Sequence, residues 1–351
     1  MGLSHGTDLD AWSRWQRSRQ PLTRRARAAA DGLRRGGRAA VVLTRGGAHP
    51  SVVVALDATT PTALQALLLP VLHLPPEEVA VVSHGSLAGL IPDGWAESTG
   101  SPTDLLASVV RPGTVVLALG HYLSLGAAAL DVARGVGARF LTVQHGLLTP
   151  HAPPLAASTT LLAWSEADAD FWAHDRPDVT RRVVGSQLLW SAATRAAGHA
   201  PEEAAPAAST PVFLGQLHGV ELPRAVAARA AEGFCLETGA TYRPHPAETD
   251  RRSRATHRRW ERAGIRVDRS GSPLAELRSP VVSIFSTGVL EAAAAGTPAW
   301  VHLPDPPPWV REFWRRYGLS SWGDAPTPSP ERPDLEPSRA VARAVQEMMA
   351  P

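Results

Sequence analysis

The 351-residue chain contains no lysine: all 35 of its basic side chains are arginine. Without a lysine amine there is no Schiff-base chemistry and no P-loop, whose Gly-Lys-Ser/Thr signature is missing. Positive charge therefore rests wholly on guanidinium groups, which stay protonated and grip carboxylate or phosphate through two parallel bonds. Cysteine is almost absent too. The single Cys235 excludes an internal disulfide and a thiolate metal cluster, and its apolar neighbours read as those of a small buried hydrophobe. The Gly-x-Ser-x-Gly match at Gly2-Leu3-Ser4-His5-Gly6 has no strand before it and so is not a nucleophile elbow, no Gly-x-Gly-x-x-Gly dinucleotide turn occurs, and the histidines are too dispersed for a zinc motif. The longest apolar tract, 114–133, is broken by His121 and Asp131 and reads as strand, loop and helix rather than a membrane span. No apolar core of a signal sequence follows the start, so cytoplasmic residence is expected.

What is present is a folding composition: 44% hydrophobic and 19% charged residues, which excludes wholesale disorder. The length suggests two domains. Net charge is +2, but it is unevenly spread. Residues 1–45 hold ten Arg against three Asp, residues 46–110 hold six acids and no Arg, and residues 251–269 hold eight Arg against Glu261 and Asp268. Trp12 to Arg38 reads as a basic amphipathic helix, packed on the first domain or touching an anionic membrane face. The 251–269 stretch is helical in pattern and has only Trp260 for base stacking, so nucleic acid is not the favoured partner.

Short apolar runs alternate with helical patterns along most of the chain. Strands are predicted at 38–43, 52–56, 79–83, 115–119, 140–144, 161–164 and 182–184, with helices at 60–69 (stopped by Pro70), 123–135 and 166–173. The Ala/Pro-rich stretch 193–210 is the linker candidate. A second series follows, with strands at 211–214, 240–243, 265–267, 280–285 and 298–301 and helices at 221–233, 253–263, 273–277 and 289–295. This organisation predicts an α/β protein with two Rossmann-like parallel-sheet domains facing a cleft. The expected boundaries are 1–37 for the basic helix, 38–192 for the first domain and 211–325 for the second. A Pro-rich segment with a helix at 336–349 closes the chain within 326–351.

In open α/β sheets ligands sit beyond the carboxyl ends of the strands, so residues there are the site candidates. Three strand ends carry His-Gly pairs: His84-Gly85, His145-Gly146 and His218-Gly219. A histidine titrates near neutrality, which suits His145 and His84 to general acid/base work, although a structural loop histidine has the same appearance. Between Pro244 and Pro246, His245 is held on a stiff backbone as a phosphate donor; the alternative is a loop histidine capped by Glu248. Ser286-Thr287-Gly288 opens an Ala-rich helix whose start suits a phosphate, or is an ordinary N-cap. Glu291, one turn on, suits a ribose hydroxyl or a capping role. Arg243, Asp250, Ser165 and Gln144 are secondary candidates, for each of which a structural role is the favoured reading.

The order of strand-end His-Gly, Arg243-Pro244-His245-Pro246, Ser286-Thr287-Gly288 and Gly296-Thr297-Pro298 resembles the two-domain glycosyltransferase-B architecture. Within it, the chain is similar over residues 110–315 to bacterial transferases of the polysialyltransferase and CDP-glycerol glycerophosphotransferase type, which build capsules and wall polymers. The resemblance implies that His245 with Pro246, and Ser286 with Thr287 and Gly288, bind the phosphates of a nucleotide donor. It puts Glu291 at the ribose and His145 at the reaction centre; His218, Gly219 and Arg243 are added to the donor side from their place at the strand ends of the second domain. An Asp before the Ser/Thr pair and a Lys-rich membrane-facing surface are missing, which favours a sugar over a polyol-phosphate donor. The implied function is transfer of a sugar from a nucleotide-activated, CMP-linked donor to a cell-surface glycan or glycolipid. No tightly bound cofactor and no metal are called for, and peripheral contact with the inner membrane is expected. The alternatives are a CDP-polyol phosphotransferase, a UDP-sugar 2-epimerase-like enzyme, of which Leu43-Thr44-Arg45-Gly46-Gly47 is a partial echo, and a non-catalytic nucleotide- or sugar-binding protein.

Overall fold

A computed structural model describes residues 2–19, 41–197, 210–272, 274 and 277–349. The chain forms two compact units, residues 1–187 with 333–351 and residues 188–332. Residues 20–40 and 198–209 lie outside the described residues, and with them most of the expected basic helix and linker.

The first unit is built on an eight-stranded sheet. Its strands are β1 (Val41–Arg45), β2 (Val52–Leu56), β3 (Val79–Ser83), β4 (Ala96–Gly100), β5 (Val115–Ala118), β6 (Arg139–Val143), β7 (Thr160–Ala163) and β8 (Thr180–Val183). They lie in the order β4-β1-β3-β2-β5-β6-β7-β8. From β3 to β8 all neighbours are parallel, whereas β1 runs antiparallel to both β3 and β4. The sheet is thus mixed at one edge, not parallel throughout as expected. β2 is buried along its whole length, and its residues alternate between two cores, as a covered strand requires. Val52, Val54 and Leu56 pack with Leu67 and Val345; Val53 and Ala55 pack with Leu106 and Leu125 on the other face.

The expected helix stop at Pro70 does not occur. A π-helical stretch, Leu64–Leu68, sits between α-helical turns Pro61–Ala63 and Leu69–Val71, placing Pro70 in a new first turn where no N–H is needed. Helix Pro337–Met349 belongs to this unit: Val341, Ala342, Ala344 and Val345 join the core beside Leu67 and Val71, and Ser338 bonds His73 at 2.9 Å.

The second unit carries four parallel strands, β9 (Val212–Leu214), β10 (Thr241–Arg243), β11 (Val281–Ser283) and β12 (Ala299–Val301), in the order β10-β9-β11-β12. Phe213, Phe234, Tyr242, Trp260 and Phe313 fill its core with rings that are fully buried. The strand expected at 265–267 is reduced to one bridge, Val267 to Tyr242. Both units are Rossmann-like α/β layers with flanking helices, so the expected fold class, the GT-B-like pair of such domains, is borne out.

Candidate functional site

In the second unit the chain runs from β9 to β10 on one side and to β11 on the other, so the topological switch lies between β9 and β11. Three neighbouring strand ends deliver the sequence candidates there: His218 after β9, His245 after β10 and Ser286 after β11. Gln216 stitches the switch, its Oε1 accepting from Phe285 N–H at 3.0 Å, Ile284 N–H at 3.2 Å and the Ser283 hydroxyl at 3.2 Å.

The imidazoles of His218 and His245 are stacked, with centroids 3.7 Å apart and planes inclined by 16°. His245 Nδ1 accepts from Ala247 N–H at 3.1 Å. In the neutral ring the proton therefore sits on Nε2, which is left as a donor. Burial, and secondly the facing His218, push the His245 pKa down to about 4. Beneath the pair lies Glu248. Its carboxylate accepts from Leu217 N–H at 2.9 Å, from the Tyr242 hydroxyl at 2.9 Å and from His257 Nε2 at 3.0 Å, and lies 4.0 Å from His218 Nδ1. Burial would raise its pKa, but the facing His218 and His257 rings, the Leu217 N–H and the Tyr242 hydroxyl hold it down to about 2. Glu248 is therefore an organiser of the pair rather than a cap on the His245 ring.

Ser286 caps helix Thr287–Ala294, its Oγ accepting from Gly288 N–H at 3.1 Å. The hydroxyl proton remains available for donation. A Cβ on Gly288 would fall 2.6 Å from Leu214 Cδ1, so this glycine brings the helix close onto β9. Glu291 is mostly buried 3.9 Å from Arg195, and burial raises its pKa against the pull of Arg195 and Arg243. The Arg243 guanidinium bonds the Ser272 carbonyl and pairs with Asp268 at 3.5 Å. Gly219 sits in a turn closed on Gln216 O, and Pro246 is exposed beside His245. Asp250 is an N-cap, accepting from Arg252 N–H and Ser253 N–H.

In the first unit four adjacent strands end on a titratable side chain: β3 on His84, β2 on Asp57, β5 on His121 and β6 on His145. Burial pushes His145 down to about 4, and its Nδ1 is buried with no hydrogen-bond partner among the described residues. His121 is also lowered, by burial and then by Arg134 and Arg176. Asp57 accepts from Leu125 N–H at 2.8 Å and Gly126 N–H at 3.0 Å, filling the start of helix Ser124–Val136. The Ser124 hydroxyl donates to Asp57 Oδ1 at 3.1 Å and lies 3.4 Å from His84 Nε2, which is itself 3.7 Å from Asp57. This is not a hydrolytic triad, because one imidazole nitrogen faces both serine and carboxylate instead of bridging them. Gln144 ties the ends of β6 and β7, its Oε1 accepting from Trp164 N–H at 2.8 Å, and Ser165 caps helix Glu166–Trp172. Both are structural.

The sequence reading offers Glu248 only as a cap on the His245 loop, and does not single out Asp57 and His121 as site residues. Asp57 and His121 both lie just beyond strands it did identify, which was the available signal. Among the described residues no cluster of three or more His, Cys, Asp or Glu is placed to hold a metal ion.

No protein-family model matches the chain, and no curated protein matches it. Among solved structures, a mutant O-GlcNAc transferase of Thermobaculum terrenum aligns at 15% identity with a TM-score of 0.41, covering 87% of this chain and 64% of that one. A glycosyltransferase of Rickettsia africae aligns at 11% identity and TM-score 0.46, over 86% of this chain and 88% of its own. A β-Kdo 2,4 transferase, KpsC of Thermosulfurimonas dismutans, aligns at 14% identity and TM-score 0.28, over 86% and 99%. The chain thus spans less than two thirds of the length of the first of these.

Proposed function

We propose that the protein is a glycosyltransferase that moves a sugar from a nucleotide-activated donor to a hydroxyl of a glycan or glycolipid acceptor. The observation that carries this reading is the convergence of His218, His245 and the capped helix start at Ser286 on three neighbouring strand ends at the switch of the second sheet. The His245 Nε2–H, the Ser286 hydroxyl and the positive end of the helix are arranged to receive the donor phosphates. As the bond from the anomeric carbon to the phosphate oxygen breaks, charge grows on that oxygen, and fixed donors stabilise it. Glu291 is assigned to the ribose, and Arg243 holds the strand end beside it.

On the family resemblance, the acceptor oxygen forms the new bond to the anomeric carbon as the phosphate oxygen leaves, and its proton goes to His145. His84, aligned by Asp57, is the second candidate for this step. We assign the donor to the CMP-linked class and the acceptor to the cell surface on the family resemblance. The protein would then work at the cytoplasmic membrane face, with exposed Arg14, Arg17 and Arg19 on helix Leu9–Arg19 toward the lipid. No helix among the described residues is long and apolar enough to cross a membrane.

Thermal unfolding with CMP, CDP, UDP and GDP tests the donor site, since a ligand at about 100 times its Kd adds about 2.7 kcal/mol. CMP or CDP is expected to raise the midpoint in the wild type and to lose most of that shift in His245→Ala. Stabilisation by UDP alone would favour the epimerase-like alternative, and no shift with any nucleotide would overturn the proposal.

A further inference from the structure

The Glu248 carboxylate joins four separate segments of the second unit: the end of β9 through Leu217, β10 through Tyr242, its own loop, and helix Arg251–Arg262 through His257. Space for it is made by Gly215, where a Cβ would lie 2.4 Å from the Tyr242 hydroxyl and 2.6 Å from Glu248 Oε1. So tight a setting exceeds what holding one loop needs.

Two further facts give the setting a direction. His218 Nδ1 is buried without a hydrogen-bond partner among the described residues, and Glu248 Oε1 lies 4.0 Å from it. His245, stacked on the same ring, has its own Nδ1 occupied by Ala247 N–H. The two Nδ1 atoms thus have different surroundings: that of His245 accepts from Ala247 N–H, and that of His218 faces the Glu248 carboxylate without a hydrogen bond.

We propose that Glu248 is a positioning residue that fixes His218 as the Nδ1–H tautomer, so that the stacked pair offers a ligand one basic Nε2 and one Nε2–H donor. Resting on the nucleotide-donor reading above, this makes anion binding proton-coupled. An arriving phosphate is held by His245 Nε2–H, and His218 Nε2 takes a proton from solvent to become the second donor. The charged and titratable groups around His218 are Glu248 and His245 on the following loop, Tyr242 on β10, His257 on helix Arg251–Arg262, and Arg224 and Glu221 at the start of helix Arg224–Thr238. Arg224 donates to Leu217 O at 2.7 Å, and Glu221 Oε2 accepts from Val220 N–H at 2.8 Å. Neither forms a hydrogen bond with the His218 ring.

The test needs no ligand at its first step. Two-bond ¹⁵N–¹H correlation spectra of the wild-type chain at pH 8 report which ring nitrogen carries the proton. Nδ1–H on His218 and Nε2–H on His245 are expected, with His218 turning to a tautomer mixture in Glu248→Gln. The Nε2–H tautomer on His218 in the wild type overturns the proposal, even if Glu248→Gln fails to fold. So does a His218 pattern unchanged in a folded Glu248→Gln. At the second step, calorimetric titration with CMP at pH 8 in two buffers of different ionisation enthalpy counts protons taken up. The wild type should take up a larger fraction of a proton than Glu248→Gln, and equal uptake overturns the coupling. Absence of CMP binding with the expected tautomers would instead strike the donor reading and leave the tautomer assignment standing.

Discussion

Desolvated imidazoles set the pH response of this protein. Burial holds His145 and His245 down to about 4, and lowers His121 and His302 in the same direction. In the unfolded chain these rings titrate near 6.5. Between about pH 7 and pH 4 the unfolded state therefore binds more protons than the native state, and stability must fall as pH falls. It is fully present above the unfolded pKa. For His145 the difference corresponds to as much as about 3 kcal/mol. His245 contributes less, because its outer edge is in water. Glu248, held down to about 2, adds a loss only below the ordinary carboxylate range near 4.5, so it does not act in the upper part of this window. Urea midpoints measured at pH 7.5 and pH 5 should drop in the wild type and drop less in His145→Gln, which carries no titrating ring. An equal drop in the variant would place the titration elsewhere.

Among the elements, helix Ser124–Val136 shows how distant residues share one task. Its N-cap position is Leu123, which has no side chain able to accept a hydrogen bond, and the first-turn N–H groups are met instead by Asp57. The carboxylate is nearly fully buried, so removing it leaves two donors without partners in an apolar setting. Asp57→Ala should cost about 2 kcal/mol in chemical denaturation, and Asp57→Asn less because one acceptor oxygen remains. A loss within the few tenths expected of a surface change would show that the helix start finds water instead. The case also marks a limit of sequence reading. Continuous apolar runs such as Val52–Leu56 and Val79–Ser83 are legible because burial on both faces dictates them. By contrast, β4 is missed: its exposed Ala96-Glu97-Ser98-Thr99-Gly100 carries no apolar pattern, and it pairs at a sheet edge. Helix Pro308–Arg316 is missed among its prolines. Strand-end histidines were legible as candidates because each closes a recognised strand. Their partner Asp57 was not, because a carboxylate 68 residues from the helix start it caps leaves no local spacing to read, and Glu248 reads only as a cap on the nearby His245 because its contact to Leu217 spans 31 residues.

At the scale of the molecule, the chain is not divided once but leaves the first unit near Gln187 and returns to it after Arg332. The returning helix Pro337–Met349 is amphipathic, with Val341, Ala342, Ala344 and Val345 buried in the first core and Arg339 and Arg343 in water. Polar contacts fix its register: Ser338 N–H donates to Gln187 Oε1 at 2.8 Å, and Arg182 pairs with Glu347 at 2.5 Å. The surface ion pair contributes little; the buried side chains carry the attachment. Two buried valines at about 1.5–3 kcal/mol each, with the alanines and the newly exposed Leu67, Val71 and Val184, put the loss on truncation at about 5 kcal/mol or more. That is comparable with the whole stability of a domain, about 5–15 kcal/mol. A chain ending at Arg332 should therefore lose the cooperative transition of the first unit while the second, complete within residues 188–332, keeps its own. Hydrogen exchange followed by mass spectrometry separates the two: deprotection should spread through β2, β3 and β5, while β9 to β12 stay protected. Retained protection of β2 in the truncated chain would mean that the first core is closed without the returning helix. Loss throughout both sheets would mean that the second unit does not hold its fold alone.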